Sequence, residues 1–166
     1  MARTKSAMLA AAISAVAMGC VGTPASLSAQ VDQTERLVFA DEFDAPALDR
    51  SKWNTIGPDF WVNEEEQAYI NSPETIRFAP AGSVEGADSG VLVLQPRFRE
   101  GFETPTGREA DFVSGRITTE DKFDFTHGRA VARIRMPDAA GVWPAFWLLG
   151  NGTWPETGEI DIMEYV

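Results

Sequence analysis

Between Gly158 and Tyr165 the chain reads Gly-Glu-Ile-Asp-Ile-Met-Glu-Tyr, and this run constrains the fold more than any other. It is short, apolar and β-branched, as strands are, yet it carries Glu159, Asp161 and Glu164. Charged side chains enter such a strand when its open face does chemistry or meets a polar ligand. In a regular strand Glu159, Asp161 and Met163 would share one face and Glu164 would point the other way. One extra residue, a β-bulge near Ile162–Met163, resets the phase. All three carboxylates then line one face, with Ile160 and one or both of Ile162 and Met163 turned to the core.

Two carboxyl groups on one face suit the cleavage of a glycosidic bond: one stays ionised, the other carries a proton to the leaving oxygen. Neighbouring like charges push their proton affinities apart, so similar groups take different roles. Four strand steps span roughly 13 Å of backbone, so the two glutamates must lean together across a curved sheet. A solvated acidic strand at a sheet surface fits the same pattern.

With 166 residues, 44% of them hydrophobic, the chain suffices for one domain with a sizeable core. Ten prolines, fourteen glycines and many short apolar runs predict an all-β fold. Residues 1–29 read as an export signal. Arg3 and Lys5 precede the Ala-rich stretch Ala7–Ala17, which is too short for a membrane span. Cleavage after Ala29 gives a soluble exported product, periplasmic or secreted. Cleavage before Cys20, in the lipobox-like Ala17-Met18-Gly19-Cys20, gives an outer-surface lipoprotein anchored at that residue. The lone cysteine allows no disulfide within the chain. Of the 14 basic residues, Arg3 and Lys5 leave with the signal; 12 then face 25 acidic ones, a formal charge of −13. That balance excludes nucleic acid as a partner, disfavours sulfated or uronic polymers, and fits a neutral glucan.

Strands are predicted at Leu37–Phe39, Thr75–Phe78, Val91–Gln95, Phe112–Thr119, Arg129–Met136, Val142–Leu149 and the motif itself, with loops at Ala79–Gly90 and Pro96–Asp111. Such spacing without helices suggests two packed antiparallel sheets. Trp143 and Trp147, four apart on a strand, share a face that is either core or ligand platform. Arg129, Arg133 and Arg135 are expected to be solvated or paired with acids. His127, the single histidine, reads as a turn residue, and no catalytic metal cluster or nucleophile elbow accompanies it.

Glu159-Ile160-Asp161-Ile162-Met163-Glu164 resembles the catalytic signature of glycoside hydrolase family 16, in the bulged form of the laminarinases. Phe39-Ala40-Asp41-Glu42-Phe43, Leu48-Asp49-Arg50-Ser51-Lys52-Trp53, Asn63-Glu64-Glu65-Glu66-Gln67, Ser114-Gly115-Arg116-Ile117, Lys122-Phe123, Gly128-Arg129, Gly141 to Gly150 and Trp154-Pro155 match the family in order. The resemblance covers about Leu37 to the last residue. It implies a concanavalin A-like β-jelly roll and an endo-acting, retaining hydrolase of β-1,3- or mixed-linkage glucan that is monomeric at full length and needs no cofactor. It further implies Glu159 as nucleophile, Glu164 as general acid/base and Asp161 as modulator of Glu159. Trp143, Trp147, Asn63, Arg116 and Trp154 would serve the substrate cleft. A structural calcium is known in relatives; Glu42 is a loose candidate ligand here. Glu64 and Ala68 depart from the residues common in laminarinases, which bears on the distal subsites. Two alternatives stand beside this reading: a non-catalytic carbohydrate-binding jelly roll, and a hydrolase of another neutral polymer such as a galactan. Relatives continue well beyond the position of Val166, so residues 30–166 are expected to be a partial catalytic domain, poorly stable and inactive alone.

Overall fold

The computed structural model describes the backbone of Leu9–Ala11 and residues 35–165. Apart from Leu9–Ala11, the expected signal segment, with Cys20 and Ala29, lies outside the described residues. Eleven strands and no helix occur among the described residues: β1 Leu9–Ala11, β2 Asn54–Thr55, β3 Gln67–Tyr69, β4 Ile76–Ala79, β5 Val91–Leu94, β6 Arg97–Glu103, β7 Glu109–Ser114, β8 Ile117–Thr118, β9 Ile134–Arg135, β10 Ala145–Leu149 and β11 Glu159–Glu164. The fold is all-β, as the sequence predicts.

The strands form four short sheets, ordered β4-β5-β1-β9, β3-β7-β6, β2-β8 and β10-β11. One pairing departs from the all-antiparallel expectation: β3 runs parallel to β7, with Gln67 opposite Phe112 and Tyr69 opposite Ser114. β5 organises the core. Its alternation sends Val91 and Val93 to one side, against Ala87, Ala79 and Val84. Leu92 goes to the other, against Phe43, Ile76, Trp53, Phe78 and Ile117. Fully burying one such aliphatic side chain contributes roughly 1.5–3 kcal/mol.

The segment 35–53 is not a strand. Leu37 and Val38 are exposed, with no strand beside them among the described residues. Side chains hold this segment instead. Asp41 accepts hydrogen bonds from the Phe43 amide and the Trp53 indole N–H, both at 2.9 Å. Lys52 Nζ donates to the Ala40 carbonyl at 2.7 Å. Lys122 Nζ donates to the carbonyls of Arg50 and Trp53, and Phe39 stacks on Phe123 with centroids 4.6 Å apart. The ordered motifs near residues 39–53 and 122–123 are therefore a structural staple.

Three further expectations are corrected. The polar stretch 96–111 is mostly the β6–β7 hairpin rather than a loop. Four of the seven β6 residues are charged, but Phe98 packs edge-on against Phe112 at 5.5 Å and Arg99 pairs with Glu74 at 3.1 Å. The expected strand 112–119 breaks at Gly115–Arg116 between β7 and β8. Of Arg129–Met136 only Ile134–Arg135 is strand; Arg129 meets Glu35 at 2.8 Å, an exposed ion pair.

Gly115 marks the break because the backbone there presses on β4. A Cβ at this position would lie 2.6 Å from Ile76 Cγ1 and 2.7 Å from the Thr75 carbonyl oxygen. Gly115→Ala is expected to destabilise the full-length protein by about 1–3 kcal/mol through this overpacking, read as a lower urea midpoint with an unchanged m-value.

Candidate active site

The extra residue lies where the sequence places it. In the antiparallel β10–β11 ladder Leu149 opposes Glu159, Leu148 opposes Ile160 and Trp147 opposes Asp161; the register then shifts, so that Phe146 opposes Met163 and Ala145 opposes Glu164. Ile162 is left without a partner, a bulge on β11. Residues 145, 147 and 149 share one face of β10 by strand period. Their opposite numbers Glu164, Asp161 and Glu159 therefore share the same face.

Both ends of the hairpin are tied. The Gly150 amide donates to the Gly158 carbonyl at 3.0 Å beside Glu159, and the Tyr165 amide donates to the Pro144 carbonyl at 3.2 Å beyond Glu164. The second bond keeps Trp143 next to the motif although it precedes β10. Its indole Nε1–H donates to Glu164 Oε1 at 2.8 Å, and its ring is 51% exposed. This donor fixes one carboxyl oxygen of Glu164 and leaves the other free.

The opposite face differs from expectation. Ile160 and Ile162 are 64% and 42% exposed rather than turned into a core, and Met163 is half-buried. Among the described residues no strand other than β10 pairs with β11 and no layer covers these side chains.

The remaining predicted cleft residues divide. Trp147 stands opposite Asp161, and Arg116 reaches it: the guanidinium carbon lies 4.9 Å from the Trp147 ring centroid. One face of Trp147 is thus covered by a cation. Asn63 is exposed in a turn with φ of 54°, followed by Glu64 at 53°; no hydrogen bond joins it to the carboxylates among the described residues. Trp154 is exposed in the turn before β11, likewise with no hydrogen bond or ring contact to them. Glu42 is exposed, and no group of three or more His, Cys, Asp or Glu side chains is placed to hold a metal among the described residues.

A model described as the XgeA-like, catalytic domain of glycoside hydrolase family 16 matches residues 99–166. The chain is 40% identical over 138 residues to a beta-glucanase of Rhodothermus marinus, covering 78% of this chain and 43% of the relative. It is 34% identical over 144 residues to the glucan endo-1,3-beta-glucosidase A1 of Niallia circulans, covering 77% and 20%. It is 32% identical over 137 residues to the endo-1,3-1,4-beta-glycanase EglC of Rhizobium meliloti, covering 76% and 29%. The chain is thus similar to the catalytic domain of glycoside hydrolase family 16. It spans less than half the length of these relatives. No solved structure matches it significantly. Its all-β architecture is consistent with the family's jelly roll.

One group beside the carboxylate hairpin was not found from the sequence. Tyr69 on β3 is buried, and its hydroxyl donates to Glu65 Oε2 at 2.7 Å while accepting from Gln67 Nε2 at 3.1 Å. Gln67 also donates to Glu65 Oε2, at 2.9 Å. The signal was present as a period-two run, Glu65-x-Gln67-x-Tyr69, ending in an aromatic. Burial, reinforced by the bond to Glu65, raises the Tyr69 phenol above its ordinary value. A raised phenol stabilises the fold fully below the unfolded tyrosine value of about 10 and loses that contribution as pH climbs through the folded one. Unfolding free energy should therefore fall above about pH 10, and the part of that fall due to Tyr69 should vanish in Tyr69→Phe, as chemical denaturation across pH 8–11 would show.

Proposed function

We propose that the protein is an exported, endo-acting β-glucan hydrolase cutting β-1,3 or mixed-linkage chains with retention. The observation that carries this reading is the bulge at Ile162, which brings Glu159, Asp161 and Glu164 to one face beside the Trp143 indole. The glucan-directed activities printed for the relatives support the substrate class, and the basic and apolar opening of the chain supports export.

In the first step the Glu159 carboxylate attacks the anomeric carbon. The glycosidic C–O bond breaks, and Glu164 delivers a proton to the departing oxygen. In the second step Glu164, now ionised, takes a proton from water. That water displaces Glu159 from the anomeric carbon and restores both groups. Asp161, between them on the same face, steers Glu159. Trp143 holds one Glu164 oxygen by its N–H and offers an exposed ring to the C–H face of a sugar.

In the full-length enzyme Glu159→Gln should abolish release of reducing ends from laminarin. Glu164→Gln should lower that release by about 10²–10⁴-fold, yet spare the first step on an aryl glycoside whose leaving group needs no proton. Full activity in Glu159→Gln would refute the role assignment. Trp143→Phe keeps a ring but loses the donor, and should reduce kcat/KM on laminarin by up to about tenfold, the cost of one hydrogen bond to the protonated acid.

A further inference from the structure

Arg116 occupies the break between β7 and β8, where Gly115 is pressed against β4. Its guanidinium carbon lies 4.8 Å from the Phe60 ring centroid, 4.9 Å from Trp147 and 5.6 Å from Tyr69. Among the described residues no acceptor takes a hydrogen bond from this side chain, so aromatic faces are what it binds. A partly desolvated guanidinium between rings gains from each ring's negative face.

The three rings are not equivalent. Tyr69 is buried and its hydroxyl is held by Glu65 and Gln67. Phe60 lies against Tyr69 with centroids 6.3 Å apart. These two form a fixed wall on and beside β3. Trp147 belongs to the other side, on the hairpin that carries the carboxylates, opposite Asp161.

We propose that Arg116 is a positioning residue: by clamping the Trp147 indole against the Phe60–Tyr69 wall, it sets the plane of the ring beside Asp161 and locks the carboxylate hairpin to the β3 region. The consequence for sugar binding rests on the glucan-hydrolase reading; the clamp itself does not. With one face given to Arg116, Trp147 has a single face left for a ligand, and the orientation of that face depends on the cation. Arg116 thereby acts through Trp147 rather than through bonds of its own to substrate.

The test uses Arg116→Met, Arg116→Lys, Trp147→Phe and the Arg116→Met/Trp147→Phe double variant of the full-length protein. Without substrate, Arg116→Met should change the tryptophan fine structure in the near-ultraviolet circular dichroism of the parent, and should cause no further change in that fine structure when Trp147→Phe is already in place. Arg116→Lys, which keeps the charge but loses the stacked plane, should fall between parent and Arg116→Met. On laminari-oligosaccharides Arg116→Met should raise KM about tenfold with kcat nearly kept, and the double variant should be no worse than Trp147→Phe alone. Independent effects overturn the proposal: a change in the tryptophan fine structure that Arg116→Met still produces on top of Trp147→Phe, or KM losses that multiply, would mean that Arg116 binds substrate or supports the fold by itself. A parent that cleaves no glucan would refute the hydrolase reading, while the spectral coupling, read without substrate, still decides for or against the clamp.

Discussion

One residue without a ladder partner governs the arrangement of this molecule's chemistry. With Ile162 looped out of the β10–β11 register, Glu164 swings to the face that already holds Glu159 and Asp161. Without it, Glu164 would sit on the opposite face with Ile160. Everything else at the site is arranged around that phase change. The Tyr165–Pro144 bond continues the ladder past it, Trp143 is delivered to Glu164, and Trp147 is set opposite Asp161. A bulge also increases local strand twist, which favours the leaning of flanking side chains toward one another.

How far the sequence disclosed this depends on the range of the forces involved. The motif strand, its bulge and β5 were legible because period-two patterning and local phase decide them. The β6–β7 hairpin was not, since its charged residues mimic a loop until Phe98 meets Phe112 and Arg99 meets Glu74 across the fold. Leu37–Phe39 failed in the other direction: an apolar run is not a strand without a neighbour, and the segment is secured by Asp41, Lys52 and Lys122 instead. Of the cleft residues, Trp143, Trp147 and Arg116 converge on or next to the carboxylate face, whereas Asn63 and Trp154 make no hydrogen bond to it among the described residues. The period-two run Glu65-x-Gln67-x-Tyr69 was present in the sequence, but its place in the site comes from Arg116, some fifty residues further along the chain.

The two halves of the site therefore have different physical bases. The carboxylates are set by backbone register, a collective property of the ladder. The aromatic side is set by side-chain contacts: one indole N–H on Glu164, and one guanidinium among three rings. Register tolerates substitution of individual side chains, while the aromatic side depends on single residues. Variation among homologues in ligand preference is accordingly expected around the rings rather than along the strand.

The parallel pairing of β3 with β7 has a kinetic meaning. Parallel neighbours cannot be joined by a tight turn, and here the connection carries β4, β5 and β6 before the chain returns. The β4–β5 and β6–β7 pairs close over short stretches of chain, but Tyr69 reaches Ser114 only after that long loop has shut, and loop closure of this kind slows folding. The meeting of Arg116 with the Phe60–Tyr69 wall therefore waits on that closure, and until then apolar side chains on both sides stand open to association with other chains.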